Sequence, residues 1–130
     1  MIVGTEWLIE ATGCHSAVLR DENVVRAVTN AVIADLGLIS VGAIWHTFDG
    51  EGGVTGLIAL TESHLACHTY PEYRTATFNL YCCRSRPEWD WEAKLLSYLG
   101  ATNVTVTKVE RGYPNSQHTG PKFESAGGQP

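Results

Sequence analysis

Residues 54–83 read VTGLIALTESHLACHTYPEYRTATFNLYCC. The apolar run at 54–61 reads as a β-strand, and 75–83 alternates in the manner of a half-buried one. Between them, Tyr70-Pro71 marks a break, because proline cannot donate to a strand ladder. Two or three strands therefore lie in this part of the chain. Just upstream, DGEGG at 49–53 reads as a turn, since clustered glycine and aspartate tolerate positive φ. It joins 54–61 to a strand predicted at 39–47 as a hairpin.

The flanks supply helices. Asp21 opens a helical stretch in which Val24, Val28, Ala31, Val32 and Leu36 recur at helical spacing, with Glu22 in the first turn and Gly37 at the end. Pro87 opens a second helix, with Glu88 and Asp90 in its first turn, an apolar face of Trp91, Leu95, Tyr98 and Leu99, and Gly100 as its stop. Residues 5–12 and 103–109 alternate and read as the first and last strands. The order of strand, helix, strands, helix, strand predicts an α+β two-layer sandwich: a mainly antiparallel sheet with both helices on one face. The other face is then solvated or covered by a partner. One domain spans 1–112, and the polar, Gly/Pro-rich residues 113–130 predict a mobile tail.

Composition narrows the function. Of 130 residues, 44% are apolar and 18% charged, and 14 acidic against 9 basic side chains give a net charge of -5. No run of Lys and Arg offers a footprint for nucleic acid, and no apolar stretch approaches the roughly 20 residues of a membrane span. The N-terminus lacks a basic region before an apolar one, so no export signal is read. Cysteines at 14, 67, 82 and 83 show no disulfide spacing. They are expected as reduced thiols in a cytoplasmic protein.

Three readings compete for the chemistry of 61–83. His64, Cys67 and His68 are metal-ligand types, but neighbours on a strand diverge and no CxxC pair supports them, so no metal is expected. Cys14, Cys67 and Cys82 also fit ordinary packed core residues. Ser63, with His64 and His68 near in sequence, fits a nucleophile, yet no GxSxG elbow or triad partner accompanies it.

The stretch Glu62-Ser63-His64-Leu65, His68-Thr69, Pro71-Glu72-Tyr73 and Cys83, preceded by Trp45-His46-Thr47-Phe48 and Gly53-Val54-Thr55-Gly56, resembles the prokaryotic S-adenosylmethionine decarboxylase proenzyme family over residues 5–112. The resemblance implies autocatalytic cleavage between Glu62 and Ser63. Ser63 Oγ attacks the Glu62 carbonyl, and elimination then leaves a β chain, 1–62, and an α chain, 63–130, capped by a pyruvoyl group derived from Ser63. Thr55 and His68 would assist processing. The pyruvoyl group would bind substrate as a Schiff base and act as the electron sink for decarboxylation, with Cys83 as proton donor. Phe48, Tyr70 and Glu72 would bind S-adenosylmethionine for polyamine synthesis. A homodimer of cleaved protomers is implied. Tyr70 replaces the family's tryptophan, Thr55 its serine, Asn79 its acidic residue, Cys82 a common threonine, and Arg74 a frequent glycine. These changes keep ornithine or arginine open as substrates. A non-cleaved regulatory homologue is the reading from another class.

Overall fold

The computed structural model describes residues 1–112; the predicted tail lies outside the described residues. Six strands form one antiparallel sheet: β1 (Ile2–Thr12), β2 (Ser40–Thr47), β3 (Val54–Leu60), β4 (Ser63–Tyr70), β5 (Thr75–Cys82) and β6 (Asn103–Gly112). Their spatial order is β2-β3-β4-β5-β1-β6. The helices are α1 (Ser16–Leu19), α2 (Glu22–Asp35) and α3 (Trp91–Leu99). The segment left open between strand and connection is β4, paired on both sides at the centre of the sheet.

Alternation sorts the strand side chains into two faces. One row carries Trp7, Ile9 and Ala11 of β1, Val54, Ile58 and Leu60 of β3, Leu65 and Cys67 of β4, and Ala76, Phe78, Leu80 and Cys82 of β5; all are buried. The long helices complete this core with Val25, Val28 and Val32 from α2 and Trp91, Leu95 and Leu99 from α3. The two-layer sandwich expected from the element order is the architecture found. Val28, Val32 and Leu36 are buried as the spacing predicts, whereas Val24 and Ala31 are only partly buried and Val25 takes a fully buried position.

The second helix starts four residues later than its proline. Residues 87–90 are extended chain that lays two indole contacts before the helix begins. Trp89 Nε1 donates to Asp35 Oδ2 at 2.8 Å, while Glu88 Oε1 accepts from Trp7 Nε1 at 3.3 Å. Asp90, expected inside the first turn, is the cap, accepting from the Ala93 N–H. Gly100 closes α3 at φ 73°, where a side chain would be strained. Asp21 caps α2 as its position predicts, accepting from Asn23 N–H at 2.9 Å.

Two small features set the sheet against the helices. Gly56 lies under the Trp45 ring, which a Cβ there would displace. Thr69, the buried polar residue of β4, accepts from the Val54 N–H at 2.8 Å and donates to the Leu19 carbonyl at 2.6 Å. It thus joins β3, β4 and α1 through one hydroxyl. Thr69→Val keeps the shape but orphans both backbone groups, so a loss of about 1–3 kcal/mol for each is expected in urea unfolding.

Candidate active site

The hairpin between β3 and β4 turns in two residues, Thr61 and Glu62, so Leu60 pairs directly with Ser63. Ser63 is consequently the first residue of β4, half-buried, in the helix-facing row. On its other side it pairs with Cys82, the last residue of β5. The chain bends immediately after, and the Cys83 N–H donates to the Glu62 carbonyl oxygen at 3.3 Å. Glu62 holds its side chain against Arg84 in an ion pair. These residues, with Gly37–Ile39, Leu60, Thr61 and Arg86, line a cavity of about 260 Å³. The Nε of Arg86 is buried there without a hydrogen-bond partner among the described residues.

The remaining residues singled out by the sequence lie at the other end of the sheet. Thr55 and His68 face each other across β3 and β4, with Thr55 Oγ1 and His68 Nδ1 3.1 Å apart. Both belong to the open face. Tyr70 ends β4 on that face, 39% exposed, and Glu72 follows it in a single 3-10 turn, Pro71–Tyr73. Phe48 follows β2 beside the same end, 53% exposed, its ring edge-on to His46 at 4.5 Å. Ser63 and His68 are five residues apart on one strand, which is about 17 Å, and they point to opposite faces. Within one chain the structure brings Glu62, Ser63 and Cys83 together, and separately Thr55, His68, Phe48, Tyr70 and Glu72.

The residues singled out by the sequence thus form two separate groups. Asn79 occupies the middle of a polar row on the open face. Its Oδ1 is 3.1 Å from His64 Nε2, and its amide donates to Glu6 Oε2 at 2.6 Å. Glu6 also accepts from Arg111 at 2.8 Å. Asn79 first, then Arg111, hold the Glu6 carboxyl below its usual range. A second carboxylate at 79 would face Glu6 with like charge; the neutral amide serves both neighbours instead. Arg74 sits at φ 51°, which explains why glycine suits this position. Its guanidinium holds the strained corner by donating to the Cys14 carbonyl at 2.8 Å.

The family model described as S-adenosylmethionine decarboxylase matches residues 5–112. The chain belongs to the S-adenosylmethionine decarboxylase family. As a member it is a decarboxylase. An S-adenosylmethionine decarboxylase proenzyme of Acetivibrio thermocellus is 31% identical over 111 residues, 85% of this chain and 89% of that protein. An arginine decarboxylase proenzyme of Caldivirga maquilingensis is 33% identical over 115 residues, 85% and 84% of the two chains. The crystal structure of the adenosylmethionine decarboxylase from Aquifex aeolicus shares the fold, with a TM-score of 0.74 at 21% identity over 91% of this chain and 98% of that one.

Sequence reasoning placed Cys82 among core residues and passed over Arg84 and Arg86. Cys82 is indeed buried, but it is also the direct partner of Ser63, a fact visible only once the β4–β5 register is known. The four thiols differ sharply. Burial pushes Cys67 up to about 12, and raises Cys14 and Cys82, the last partly offset by Ser63 and Arg86. Cys83 alone is exposed. Brief alkylation of the native protein at pH 8 is therefore expected to label Cys83 first and to leave Cys14 and Cys67 unmodified until the fold is opened, as peptide mass mapping would show.

Proposed function

We propose that the chain is a proenzyme that cleaves itself between Glu62 and Ser63 and then decarboxylates S-adenosylmethionine for polyamine synthesis. The observation that carries the reading is the cleavage corner: Ser63 opens β4 beside a cavity, and the carbonyl oxygen of the preceding peptide accepts from the Cys83 N–H. Attack by Ser63 Oγ forms its bond to the Glu62 carbonyl carbon and breaks that carbon's bond to the Ser63 nitrogen, which receives the hydroxyl proton. Charge developing on the Glu62 oxygen faces the N–H donor. Elimination from the ester then releases the Glu62 carboxylate and leaves a dehydroalanine at 63, whose enamine tautomerises to an imine. Water hydrolyses that imine to the ketone, and the Ser63 nitrogen departs as ammonia.

The residue left at 63 fits a pyruvoyl group, because the cavity beside it is open to a small molecule and carries a thiol at Cys83. That group supplies the carbonyl that draws electrons from a bound amino acid as carbon dioxide departs. Cys83 holds the proton to be returned to the substrate carbon. Phe48 and Tyr70 offer aromatic faces for an adenine and a sulfonium, and Glu72 a carboxylate for ribose hydroxyls.

A homodimer reconciles the two half-sites. His68 and Thr55 are too far from Ser63 of their own chain to assist its cleavage, and Phe48, Tyr70 and Glu72 lie at that same distant end. The open face that carries Thr55 and His68 also exposes Ile44 and Leu57. Pairing two copies through this face covers the apolar strip and lets one copy's Thr55 and His68 serve its partner's Ser63. A second substrate reading, arginine, has one relative behind it, the arginine decarboxylase proenzyme.

Intact-mass analysis is expected to find two chains in the native protein and one in Ser63→Ala; a cut Ser63→Ala protein refutes the mechanism. Release of labelled carbon dioxide is expected from S-adenosylmethionine, and release only from arginine or ornithine reverses the substrate assignment. A His68→Ala chain should remain whole when made alone. It should be cut when made together with Ser63→Ala chains, which keep His68. Absence of that rescue argues against a site shared between copies.

A further inference from the structure

The end of β5 touches both reacting groups of the cleavage site from two consecutive residues. Cys83 uses its backbone, donating to the Glu62 carbonyl oxygen. Cys82 uses its side chain. Ser63 and Cys82 are ladder partners in the same helix-facing row. Directly opposed residues hold their Cβ atoms about 4.5–5.5 Å apart, within reach of an Oγ–Sγ hydrogen bond. Both side chains line the cavity that also holds Glu62, Arg84 and Arg86.

We propose that Cys82 is a positioning residue for self-cleavage: its thiol holds the Ser63 hydroxyl toward the Glu62 carbonyl carbon while the Cys83 N–H holds that carbonyl's oxygen. The inference rests on the self-cleavage reading. A serine hydroxyl has three staggered rotamers, and a partner fixed on the neighbouring strand selects among them. The attack itself is unchanged: the Oγ–C bond forms, the C–N bond breaks, and the hydroxyl proton ends on the Ser63 nitrogen.

The thiol is not the base in this step. Burial raises it, and neither Ser63 nor Arg86 fully restores it, so it stays protonated at neutral pH. A neutral thiol is a weak donor and a weak acceptor, enough to orient a hydroxyl without taking its proton. The other titratable groups lining the cavity are Cys83, Glu62, Arg84 and Arg86, and Arg84 is engaged by Glu62.

Threonine and valine at 82 have the same shape and differ in one hydroxyl, so they separate orientation from packing. The full-length chain and its Cys82→Thr and Cys82→Val variants would be made in a cell-free extract, with conversion to two chains followed by intact mass and Tm by circular dichroism. The native and Cys82→Thr chains should cleave at similar rates, and Cys82→Val about tenfold more slowly at a comparable Tm, since small misplacements of reacting groups are costly. The ratio of native to Cys82→Thr rates should stay constant from pH 6 to 8. Cleavage of Cys82→Val within twofold of Cys82→Thr overturns the proposal. So does a rate ratio that climbs with pH, which assigns a thiolate base, or failure of both Cys82→Val and Cys82→Ala to fold while Cys82→Thr folds, which assigns Cys82 to the core. A native chain that stays whole instead overturns the self-cleavage reading beneath it.

Discussion

Neighbouring side chains on β4 must face opposite sides of the sheet, and β4 is paired on both edges, so none of its residues is free to rotate to the other side. Ser63, Leu65, Cys67 and Thr69 are thereby committed to the helices, and His64, Ala66, His68 and Tyr70 to the open face. The short turn at Thr61–Glu62 fixes where that alternation begins. Insertion or loss of one residue there would send Ser63 to the open face and Cys67 out of the core. The placement of Ser63 and the packing of the core thus share one register. The same constraint separates Ser63 from His68.

Polar groups on the open face are satisfied among themselves. His64 stacks on Tyr81 at 5.6 Å and meets Asn79, Asn79 meets Glu6, Glu6 meets Arg111, and the Arg111 guanidinium lies 5.7 Å from the Tyr81 ring centroid. The row crosses β4, β5, β1 and β6, so one interaction set ties four strands together on the side where no helix packs among the described residues. On the helix side the equivalent work is done by indoles: Trp91 lies 5.8 Å from Phe78 and 4.9 Å from Trp89.

Where sequence reasoning succeeded, the signal was local. Asp21 and Gly100 bound their helices because capping is a property of a few consecutive residues. The start of α3 was misplaced because Pro87 is a good first helical residue in isolation, whereas Trp89 and Glu88 are engaged by Asp35 and Trp7, far away in sequence. Thr69 gave no sign of its joining role, since both its partners come from other elements. Arg74 stood out as an unusual residue, but its left-handed backbone and its bonds to the Cys14 corner were not legible from the chain alone.

Motif and periodicity by themselves determined the family and the two-layer class, and singled out Glu62, Ser63, His68 and Cys83 as candidates, because these depend on residue types at fixed separations along the chain. Only the tertiary structure decided which of those residues meet. Proximity of Glu62, Ser63, Cys82 and Cys83 depends on a register between strands, and separation of Ser63 from His68 depends on strand alternation over about 17 Å. Neither follows from spacing alone, since the same motif read as a helix or a loop would place its serine and histidines together.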